Sequence, residues 1–141
     1  MKILSFIIAM IFTAFVFYMS SLSGEVSGEL SGSMSLWVYH TFLEPISFLH
    51  LSFDTFHLMI RKLAHITEYF ILGGLWAWTF FQNHFRFWIV ILLGLLIACA
   101  DESIQIISVD RGPSIIDALL FDYCSFVIGA FMTRRVFKLY R

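Results

Sequence analysis

Charge is scarce in this chain. Only 13% of its 141 residues are Asp, Glu, Lys or Arg, and 60% are apolar; ordinary globular domains carry about 25% and roughly 45–50%. A chain this short lacks the interior volume to hide so much apolar surface from water. With a mean hydropathy of +0.86, a water-soluble core is excluded and lipid becomes the natural solvent. Nor is there an excess of base. Nine Lys and Arg stand against ten Asp and Glu, so no basic face is available for phosphates and nucleic acid is excluded as a partner. The two cysteines, Cys99 and Cys124, sit inside apolar stretches, which excludes a disulfide scaffold and reads as two small buried hydrophobes.

What is present are long apolar runs, none of which contains proline. The residues 3–19, 63–81, 87–107 and 115–132 each have the length of a membrane span, for which about 20 apolar residues are needed. The first follows Lys2 directly; it is too long for a signal peptide's apolar region and lacks an A-x-A cleavage pattern, so it reads as a helix. The expectation is therefore an all-α membrane protein forming a single domain over residues 1–141, with about four spanning helices and an outer segment over 20–62.

The charges give this arrangement a direction. With four spans, Lys2, Arg86, Arg134, Arg135, Lys138 and Arg141 fall on one side, against Arg61, Lys62 and Arg111 on the other. The excess of bases marks the cytoplasmic side and places both termini there. All ten acids (Glu25, Glu29, Glu44, Asp54, Glu68, Asp101, Glu102, Asp110, Asp117 and Asp122) then lie in outer loops or toward outer helix ends.

The outer segment opens with a near repeat of period four, SGEV, SGEL, SGSM, over residues 23–34. This spacing predicts a helix whose Gly24, Gly28 and Gly32 form a smooth ridge for close packing, with Val26, Leu30 and Met34 in an apolar row. Trp37, Tyr39, Phe42, Phe48, Phe53 and Phe56 follow, with Pro45 among them, and suit an interfacial or re-entrant element. His40, His50 and His57 read there as interface residues.

The chemistry concentrates in the second and third apolar runs. Arg61, Lys62, His65, Glu68 and Tyr69 form two adjoining helical rows, so imidazole and carboxylate share a face. A rise of about 1.5 Å per residue sets Glu68 roughly 10 Å deeper than Arg61. In the third run Asp101 and Gln105 align at i, i+4, while Glu102 is rotated by about 100°. Each acid costs about 2.5–3.5 kcal/mol at the centre of a spanning helix, more than assembly by small residues and single hydrogen bonds calls for. The cluster thus reads as a ligand or catalytic site, with Arg111 as its counter-ion and Gly73 and Gly74 allowing close helix contact below it.

In their order R-K-x-x-H-x-x-E-Y, then D-E-x-x-Q, then an arginine six residues before an aspartate and a closing glycine, these residues resemble the VanZ-like family from about Ser20 to Gly129. The pattern falls on Arg61, Lys62, His65, Glu68, Tyr69, Asp101, Glu102, Gln105, Arg111, Asp117, Asp122 and Gly129. Val109 and Asp110 stand where a Pro-Gly is common, and Ser125 stands where glycine is usual. Asp117 and Asp122 are five residues apart instead of four, about 140° out of alignment on an α-helix. Both reach one site only if Asp117 precedes the helix or the helix bulges. The resemblance implies a bacterial plasma or inner membrane protein and, through the founding member, a link to teicoplanin resistance.

Two functions follow as expectations. The first is a non-enzymatic factor that binds an amphiphile, either a lipoglycopeptide antibiotic or a lipid-linked envelope precursor, with Arg61, Lys62 and Arg111 holding its anionic groups. The second is an intramembrane hydrolase or transferase acting on lipid headgroups. There His65 and Glu68 serve as base and orienter, or join Asp101 or Glu102 on a divalent metal such as zinc or manganese. No serine or cysteine nucleophile stands beside the histidine.

Overall fold

The computed structural model describes residues 2–43, 52–82, 86–108, 116 and 118–139, and every element among them is helical. In chain order these are α1 (Lys2–Ser21), α2 (Gly24–Val38), the π-helical turn π1 (Tyr39–Leu43), α3 (Phe53–Gln82), α4 (Phe87–Ile107), the π-helical turn π2 (Ala118–Tyr123) and α5 (Cys124–Leu139). Two helices, Ile3–Ser21 and Phe87–Ile107, are long and apolar enough to cross a membrane. The other two expected spans differ from their sequence outlines. Residues 63–81 fall within α3, which starts earlier, at Phe53, because Ser52 begins it by accepting a hydrogen bond from the Thr55 N–H at 3.4 Å. The last expected span is met, among the described residues, by π2 running into α5.

α1 shows how these helices sort their side chains. Ser5, Ala9, Thr13, Val16 and Ser20 recur at three- and four-residue spacing and are buried, while Ile3, Leu4, Ile11, Phe15 and Tyr18 are exposed. Small residues face the bundle and large apolar ones face out, the reverse of a helix packed in water and the pattern that lets backbones approach within lipid. Across this seam the Trp76 Nε1–H donates to Thr13 Oγ1 at 3.1 Å, and the Thr13 hydroxyl donates to the Ala9 carbonyl at 2.7 Å. Phe6 meets the Trp76 ring edge-on, 5.8 Å between centroids.

α3 and α5 make the most extensive contact in the bundle, and two glycines permit it. A Cβ on Gly73 would fall on the Phe126 carbonyl of α5, and one on Gly129 would fall on the Phe70 carbonyl of α3. Phe126 also meets the third helix, since a Cβ on Gly94 of α4 would collide with its ring. Three helices thus converge on one fully buried phenylalanine. The ends of α1 and α4 are also joined: the Ser108 hydroxyl lies 3.2 Å from the Ser20 carbonyl and 3.0 Å from that of Ile104.

The Ser/Gly repeat is a helix, α2, whose N-cap Ser23 accepts from the Val26 N–H at 3.3 Å. Along its glycine ridge, a Cβ on Gly28 or Gly32 would meet nothing within 4 Å among the described residues. The helix docks through its far end, where Tyr39 meets Phe53 edge-on and Phe56 at a tilt, each with 5.6 Å between ring centroids. Pro45, Phe48 and His50 of the expected re-entrant element lie outside the described residues. Cys99 and Cys124 are free and exposed, not buried as expected, because outward faces here are themselves apolar.

Gly73→Ala and Gly129→Ala should each cost more than the roughly 1–3 kcal/mol of ordinary overpacking, because backbone and not a movable side chain stands in the way. Gly32→Ala should be neutral, or stabilising by up to about 1 kcal/mol through helix propensity. Thermal melts of the three variants in detergent measure this contrast.

Candidate functional site

The α3–α5 contact determines which polar side chains meet. His65 and Tyr69 lie two turns and one turn before Gly73 on α3; Asp122 lies one turn before Phe126; and Asp101 lies two turns after Gly94 on α4. The junction at Phe126 therefore aims all three segments at one place. There, one ligating atom from each of His65, Asp101 and Asp122 lies within 4.8 Å of the other two.

Asp101 and Asp122 are buried, at 1% and 7% exposure, and His65 is half-buried. The Gln105 Nε2–H donates to Asp101 Oδ2 at 3.0 Å, the i, i+4 alignment that the sequence places on one face. Asp101 Oδ1 is buried with no well-formed hydrogen bond among the described residues. Tyr69 is fully buried, with its hydroxyl in electrostatic contact with Asp101, Asp122 and Glu68.

The remaining candidates take separate places. Glu102 is buried at 7%, while Glu68 is half-buried and stands outside the close trio. Arg61 is half-buried and Lys62 exposed at the cluster's rim, one turn before His65. The Lys62 ammonium sits 4.8 Å from the centre of the Phe121 ring in π2, bridging the two segments that carry His65 and Asp122. Arg111 and Asp117 lie outside the described residues.

Asp101 and Asp122 stand close to His65; the sequence places Glu68 on the histidine's helix face and offers Asp101 or Glu102 as further partners. The five-residue spacing from Asp117 to Asp122 already asks for a bulge or for an Asp117 ahead of the helix. A π-helix closes i→i+5 hydrogen bonds, and the turn carrying Asp122, Ala118–Tyr123, is π-helical. Chemically, the trio offers one half-buried imidazole and two buried carboxylates, suited to a cation or to proton transfer.

The opposite end of the bundle is basic and aromatic. Arg134 lies over Phe87 at 4.6 Å and Arg135 over Phe131 at 5.0 Å. An open groove of ≈ 660 Å³ runs there between α4 and α5, with Arg86, Arg134, Trp88 and Leu92 among its walls. The family model described as VanZ/LLP1 matches residues 5–138, which take in every residue of the cluster. No curated protein and no solved structure matches the chain.

If Tyr69 serves mainly as the buried floor of the cluster, Tyr69→Phe should keep the fold within about 1.5 kcal/mol, because ring volume is preserved. Tyr69→Ala should lose about 3–5 kcal/mol to the cavity. Equal losses in the two variants would mean that the hydroxyl and not the ring holds the site together; melting in detergent separates the outcomes.

Proposed function

Because the chain belongs to the VanZ/LLP1 family, we propose that it is a multi-pass bacterial cell-membrane protein that binds an amphiphile with an anionic headgroup, at the end of the bundle where the polar cluster lies. The ligand class is a lipoglycopeptide such as teicoplanin or a lipid-linked envelope precursor, and glycopeptide resistance is the phenotype the family suggests. The carrying observation is the position of Arg61 and Lys62 at the rim of a buried polar cluster among helices whose outer faces are apolar. A headgroup there meets two cations while its chains lie along apolar surface.

A four-span arrangement with cytoplasmic termini accounts for the distribution of base. Arg86 at the start of α4 and Arg134, Arg135 and Lys138 on α5 occupy one end, and their stacking on Phe87 and Phe131 suits residues held at headgroup depth. α3 then crosses with His65 and Glu68 half-buried, and the polar cluster faces the outside of the cell.

A second reading is a hydrolase or transferase acting on lipid headgroups. The grouping of His65 with two carboxylates supports it, since an imidazole between acids can move a proton near neutral pH.

Expression in a susceptible host should raise the teicoplanin inhibitory concentration, and the purified protein should bind a lipid-linked precursor in nanodiscs. Lys62→Ala should weaken that binding about fivefold, as expected for about 1 kcal/mol per cation at a membrane surface. Glu68→Gln should abolish function yet leave the protein inserted and folded. No change in inhibitory concentration together with no binding would overturn the proposal; release of free headgroup during the binding assay would move it to the enzymatic reading.

A further inference from the structure

We infer that His65, Asp101 and Asp122 bind one divalent cation of the zinc or manganese type. Their donors come from three segments far apart in the chain, α3, α4 and π2, yet one ligating atom of each falls within 4.8 Å of the others. An ion bonded to nitrogen and oxygen at about 2.0–2.2 Å holds opposite ligands at most about 4.4 Å apart, so small side-chain rotations close the remaining gap. Two carboxylates supply the two negative charges that offset a divalent ion, and the imidazole favours zinc or manganese over magnesium and calcium, which prefer oxygen alone.

Asp101 provides independent support. Its side chain is 1% exposed, and its two oxygens are treated differently: Oδ2 takes the Gln105 amide at 3.0 Å, while Oδ1 is buried with no well-formed hydrogen bond among the described residues, the Tyr69 hydroxyl being a further donor beside the carboxylate. A buried carboxylate oxygen without a well-formed hydrogen bond is costly. A cation removes the cost, and an amide that holds the opposite oxygen is how metal-binding carboxylates are commonly oriented. With three protein ligands the ion would keep at least one open position for an anionic group or a water.

The site needs no amphiphile, so it is tested with none present. Protein purified in detergent and stripped with a chelator is titrated with manganese and followed by electron paramagnetic resonance. One saturable ion per chain is expected, with nitrogen hyperfine coupling from the imidazole and displacement by zinc. His65→Ala should remove the coupling, and Asp122→Asn should weaken binding at least about tenfold. Circular dichroism verifies that both variants are folded, and should either fail to fold, the coupling in the unaltered protein decides. No saturable ion, or an ion bound without nitrogen coupling, overturns the inference and leaves the cluster satisfied by protons or by the chain's own cations. That result would not touch the headgroup proposal, which stands or falls on precursor binding.

Discussion

The approach of α3 to α5 across Gly73 and Gly129 is the contact on which the rest of the structure depends. Each glycine faces a carbonyl of the other helix, and Phe126 carries the contact on to Gly94 of α4. With three helices locked at that height, the residues one and two turns away have little freedom in what they meet. His65, Tyr69, Asp101 and Asp122 are brought together by a junction that is itself wholly apolar. Packing thus positions the polar chemistry, and the closing glycine of the family pattern, Gly129, acts through backbone proximity.

The solvent explains the remaining pattern. In water, the exposed Ile3, Leu4, Ile11, Trp88 and Leu96 would form apolar patches well beyond what a small monomer tolerates. In lipid the same faces cost nothing, and polar groups are what must be turned inward. Trp76, Thr13 and Ala9 satisfy one another across the α1–α3 seam, and Ser108 caps α4 against the end of α1. The acids follow the same rule, with Asp101, Glu102 and Asp122 buried and gathered toward one end of the bundle.

Much of this was legible in the chain. Apolar runs without proline mark α1 and α4 with nearly correct ends, and the period of four in the Ser/Gly segment marks α2 as a helix. The Asp101–Gln105 pairing follows from helical spacing alone. What escaped was mostly tertiary in origin. The start of α3 at Phe53 is only half tertiary: Ser52 caps it locally, while Tyr39 meets Phe53 edge-on and Phe56 at a tilt. Glycines at equal spacing look alike in sequence, yet Gly73 is pressed against a carbonyl while Gly32 faces open space. The π-helical turn at Ala118–Tyr123 was visible only as an awkward five-residue interval, and with it the partnership of His65 and Asp122.

The meeting of His65 with Asp122 decides whether α3 and π2 build one site, and a double-mutant cycle measures it. His65→Ala, Asp122→Ala and the pair would be compared by equilibrium unfolding in detergent or bicelles. Side chains brought together in one buried cluster should couple by about 0.5–3 kcal/mol. Additivity within about 0.3–0.5 kcal/mol, the behaviour of distant sites, would contradict the convergence of α3 and π2 on a common site.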